Sequence, residues 1–169
     1  SMAAWQALTL LKEMGLRPRR TLRVVLWTNE ENGLNGGRVY REALGPDVSS
    51  HVAAIEMDGG CERPVGFGFG LTRPGAPAPS RRPGRPDEPE DPEARKALAT
   101  LRRIGSLFSG IDAATVKWGG GGADISPLTR DGVPGLSLDT VGEHYFDWHH
   151  THADTIDKVD PGDLRRATG

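Results

Sequence analysis

The sequence predicts an α/β domain of three layers, α/β/α, built on a mostly parallel central sheet. Two observations carry the layered reading. Apolar, β-prone runs alternate with stretches of helical period, in the order helix, strand, helix, strand. Polar and glycine-rich clusters stand directly after the strand candidates, where open α/β sheets form their sites.

Residues 3–14 place Trp5, Leu8, Leu10 and Leu11 at mixed spacings of three and four, which predicts an amphipathic helix. Gly15 fits a C-terminal cap and Pro18 blocks continuation. Residues 21–28 (TLRVVLWT) form a near-continuous apolar run, as a buried parallel strand does. The polar turn Asn29 to Gly33 follows it. Residues 35–44 predict the next helix despite Gly36 and Gly37, and residues 51–57 (HVAAIEM) predict a second strand.

Residues 64–70 are ambiguous, while 73–92 carry Pro74, Pro77, Pro79, Pro83, Pro86, Pro89 and Pro92 with interspersed arginines and acids. That composition predicts a flexible loop or disordered insertion. A helix resumes over 93–109, then a short strand over 114–118. Gly119 to Gly122 lead into Asp124, with a short helix near 127–131 and a strand over 135–139. Residues 143–155 read as a long polar and aromatic loop. Asp160-Pro161 reads as a helix start.

Composition excludes several classes of function. The 169 residues suffice for one domain with a core, and the net charge of -2 gives no attraction to nucleic acid or an anionic membrane surface. No apolar run approaches the roughly 20 residues of a membrane span. Cys61 is the single cysteine, so an internal disulfide is impossible. Ser126 and Ser137 sit in no GxSxG elbow, and the glycine run lacks the Gly-Lys-Ser/Thr ending of a phosphate loop.

The chemistry-bearing candidates are carboxylates and imidazoles, which suit zinc or another borderline divalent ion. In the Glu30-Glu31 pair, one carboxylate can bind an ion while its neighbour takes a proton from bound water. A solvated acidic turn explains the same pair. Asp58 is a ligand candidate or a strand-ending Asp-Gly turn residue. His149, His150 and His152 form a ligand cluster or a surface cluster, and adjacent His149 and His150 are expected to point apart. Asp154 orients an imidazole or caps the following turn. His51 and His144 have weaker cases.

At these residues the chain resembles the M28-type dinuclear-zinc peptidases, in the carboxypeptidase Q or plasma glutamate carboxypeptidase branch. The matching stretches are residues 1–37, AAIEMDGG, GGGGADISPL, GVPGLSL and YFDWHHTHADTIDKVDP. The resemblance implies that 1–169 is a C-terminal part of a catalytic domain. It implies Glu30 as general acid/base, Glu31 and His150 as ligands of one zinc, and Asp58 as a ligand of the second. His149 stands where related aminopeptidases carry an oxyanion-stabilising tyrosine, and Asp124 matches an acid of the late glycine-rich loop.

The resemblance further implies a metallo-exopeptidase acting on dipeptides or short peptides through zinc-activated water. A homodimer and a secreted or lysosomal setting are implied as well, with no nucleic-acid or membrane partner. The family also has an H-x-D histidine and a bridging aspartate, both expected ahead of residue 1. Without them the two-zinc site is expected to be weakened. The alternative is an inactive truncated or degenerate relative, acting at most as a structural or protein-interaction module. A proline-rich binding module is a third reading.

Overall fold

The structure is a computed structural model and describes residues 2–60, 62–74 and 88–169. Cys61 and the greater part of the proline-rich segment lie outside those residues. The chain divides into two compact units. The first holds residues 1–26, 59–64 and 140–169, and the second holds 27–58 and 65–139.

The second unit contains the sheet. Its strands are β1 (Ala54–Glu56), β2 (Pro64–Gly70), β3 (Thr115–Trp118) and β4 (Gly135–Thr140), in the order β1-β4-β2-β3. β1 runs parallel to β4, with Ile55 beside Leu136, and β2 runs parallel to β3, with Phe67 beside Val116. β2 resolves the ambiguity of 64–70. Its glycines alternate with Val65, Phe67 and Phe69, a period of two that a strand accommodates.

Helices flank this sheet as three layers, α/β/α. On one side α3 (Pro92–Gly105) packs on β3. Phe69, Leu98, Val116 and Leu136 form the buried cluster there, with Leu101 and Trp118 against it. Burying a side chain such as Leu98 fully is worth about 1.5–3 kcal/mol. A second cluster, Val48, Leu128 and Val133, is packed by Tyr40, Leu44 and Ala54. It joins α2 (Asn35–Leu44) and α4 (Ser126–Thr129) to β1. Asp91 starts α3: its carboxylate accepts the N–H groups of Glu93 and Ala94 at 2.8 and 3.1 Å, and Pro92 needs no partner at the first turn.

In the first unit, α1 (Met2–Glu13) lies against α6 (Pro161–Thr168). Asp160 caps α6 by accepting the Asp163 N–H at 2.8 Å. The long loop expected at 143–155 contains a short helix, α5 (Tyr145–Trp148). No helix among the described residues is long and apolar enough to cross a membrane.

Two expectations require correction. Residues 21–28 are not a strand of the described sheet. A strand exists by hydrogen bonds to a neighbour, and no described strand pairs with this run. Leu22 and Leu26 are accordingly about half exposed, at 48% and 53%. The helix expected over 93–109 ends at Gly105 and tightens into a 3₁₀ stretch, Ser106–Ile111, because Gly110 and the αL residue Asp112 do not continue an α-helix.

Candidate functional site

Three carboxylates of the second unit, Glu30, Asp58 and Asp124, are candidate site residues, and the first two act on the third through their charge. Glu30 stands in the turn ahead of α2, where its carbonyl accepts the N–H groups of Gly33 and Leu34 at 3.1 and 3.0 Å. Asn29, at φ 65°, and Leu34, at φ 59°, bend the chain into that turn. Glu31, next along it, is exposed. Asp58 is exposed two residues beyond β1. Asp124 is buried after the glycine run, and its Oδ1 has no hydrogen-bond partner among the described residues. Burial pushes the Asp124 carboxyl above its ordinary range, and the charges of Glu30 and Asp58 push it further.

Sequence reasoning missed Glu56. It is 6% exposed, and its carboxylate accepts two backbone N–H groups, from Ala123 and Ile125, each at 2.9 Å. Burial raises its pKa most, the Ile125 N–H opposes that, and the charges of Asp124 and Asp58 raise it further. Gly122 makes this approach possible, since a Cβ there would overlap the Glu56 carboxylate. The available signal was a lone acid near the end of the apolar run 51–57, which must find partners if buried.

The histidines of the 144–152 stretch belong to the first unit. His149 is half-buried and His150 exposed, with φ 58°. The two rings do not point apart as expected: they stack, with centroids 3.9 Å apart, and Tyr145 stacks on His149 at 4.4 Å. His144 Nδ1 meets Asp147 Oδ2 at 2.8 Å, and that hydrogen bond raises its pKa. His51 lies in the second unit, with Nδ1 3.2 Å from the Val48 carbonyl oxygen and Nε2 3.5 Å from the Tyr40 hydroxyl.

The donor set does not fit a metal. Among the described residues, no group of three or more His, Cys, Asp or Glu side chains is gathered so that it could hold an ion. Protein zinc sites keep three or four ligands at about 2.0–2.3 Å. The charges of Glu30 and Asp58 act on Asp124, but among the described residues the three carboxylates do not form such a set. The expectation that this chain hydrolyses peptides through zinc-activated water is therefore overturned.

The sequence profile of peptidase family M28 matches residues 1–168. The chain belongs to peptidase family M28. It is 34% identical over 164 residues to carboxypeptidase Q of mouse and of human, covering 97% of this chain and 30% of those proteins. Carboxypeptidase Q of Xenopus laevis is 34% identical over 158 residues, covering 94% of this chain and 29% of its own. The crystal structure of a peptidase M28 precursor from Shewanella amazonensis superposes with a TM-score of 0.78 at 27% identity, over 98% of this chain and 33% of that one. This member of the M28 family thus spans less than a third of the length of the curated relatives it matches. The three-layer α/β/α architecture described above matches that of the Shewanella amazonensis structure.

Proposed function

We propose that this chain is catalytically silent by itself, an M28-type scaffold acting at most as a structural or protein-interaction module. The observation that carries the reading is the lack, among the described residues, of any three donors gathered for a metal. Without a closed donor set there is no ion to lower the pKa of water or to polarise a carbonyl. Glu30 then has no activated water from which to take a proton. The family is one of peptidases, so the scaffold and the catalysis are separable here.

The residues singled out by resemblance keep a narrower proposed meaning. Within a family site completed by further ligands, Glu30 and His149 are assigned to proton transfer and oxyanion contact, and Glu31, Asp58 and His150 to metal. Short peptides and a secreted or lysosomal setting belong to that completed site and not to this chain alone.

The test is an assay of the purified chain against a dipeptide panel with added zinc. The expected result is no hydrolysis above the zinc-only control. Robust hydrolysis that disappears in Glu30→Gln would overturn the proposal.

A further inference from the structure

The buried carboxylate of Glu56 has no place in the ligand assignments, yet it makes two polar contacts to backbone 67 and 69 residues away in sequence. It reaches from the last residue of β1 to the N–H groups on either side of Asp124. The intervening peptide is thereby held at two points. The Asp124 carbonyl, in turn, lies against Gly37 of α2 so closely that a Cβ at 37 would overlap it, and the Pro127 ring is beside the same glycine. A single carboxylate therefore connects β1 to the glycine-rich loop, and the loop connects to α2.

The chemistry suits a latch. Residues 119–122 are four glycines in a row, the segment of the chain with the largest backbone entropy to lose. Ordinary ladder bonds do not run through Ala123 to Ile125, which lie between β3 and α4. Their N–H groups need acceptors, and a charged acceptor is roughly twice as strong as a neutral one. Glu56 supplies both acceptor oxygens from outside the loop.

From this geometry we infer that Glu56 is a positioning residue: it fixes the backbone on either side of Asp124 and so holds that buried side chain in place. This goes beyond the reading of the chain as a silent scaffold. It names the group that holds the glycine-rich loop against the end of β1.

The test is amide hydrogen exchange on the full ¹⁵N-labelled chain, comparing wild type, Glu56→Ala and Glu56→Gln. In Glu56→Ala, exchange at Ala123 and Ile125 rises by about tenfold or more, while amides of the β2–β3 ladder keep their rates. Gln retains one acceptor oxygen and turns an NH₂ group toward the other site. Glu56→Gln therefore restores protection at one of the two amides and not at both, a pattern that general loss of stability does not produce. Unchanged protection at Ala123 and Ile125 in both variants would overturn the inference. So would equal acceleration of the ladder amides in Glu56→Gln, which also serves if the alanine variant does not fold.

Discussion

The Glu56 carboxylate accepts the Ile125 N–H at 2.9 Å across 69 residues of sequence, inside the protein. This contact and its twin to Ala123 set the first prediction. Glu56→Ala leaves two N–H groups without their acceptor in a site water reaches poorly. Urea denaturation is expected to show a loss of about 2–4 kcal/mol.

Gly122 sits against the same carboxylate. Gly122→Ala forces the Glu56 side chain or the loop to move, and the expected cost is about 1–3 kcal/mol. Gly110→Ala is the control, because a Cβ at 110 meets nothing within 4 Å. Its midpoint in the same denaturation experiment is expected to stay within about 0.5 kcal/mol of wild type or to rise slightly.

On the other face of the sheet, Leu98 is fully buried against Phe69 and Val116. Leu98→Ala is expected to cost about 2–5 kcal/mol. Leu107 is 79% exposed, so Leu107→Ala should change the denaturation midpoint by less than about 0.5 kcal/mol equivalent.

Acid dependence has two opposing parts. Asp157, held by Lys158 and Thr155, is lowered from 3.8 to about 2, and Asp91 is lowered chiefly by the Ala94 N–H. For these two the unfolded chain binds protons more readily, so stability grows as pH rises from about 2 through 4. Glu56 and Asp124 are raised in the folded chain, above reference values of 4.5 and 3.8. Here the folded state holds protons longer, so their contribution is fullest below the unfolded value and is lost as pH rises through the folded one. Thermal unfolding across pH 3 to 8 should therefore show Asp124→Asn declining less than wild type above about pH 4. An identical decline in both would contradict the assigned cause.

Much of the scaffold was legible in the sequence. The range 35–44 predicted α2, and the Asp160-Pro161 pair predicted α6, because capping chemistry and helical period are local signals. Residues 21–28 misled because the same apolar run describes a strand with neighbours and a segment that, among the described residues, pairs with none. Whether neighbours exist is a property of the tertiary structure. The site divided in the same way. The acids after the strand candidates were visible as residue types, and the charges of Glu30 and Asp58 do act on Asp124. Whether three donors gather for a metal depends on side-chain placement to within a few ångströms, which spacing does not encode. Glu56 was hidden because its partners are backbone groups more than sixty residues away.

The most direct measurement of the central claim is equilibrium dialysis of the purified full chain against low-micromolar free zinc, followed by metal analysis. The account predicts no zinc retained above a blank and no difference between wild type and Glu31→Gln, Asp58→Asn or His150→Ala. One or two zinc ions held per chain, and lost in those variants, would contradict it.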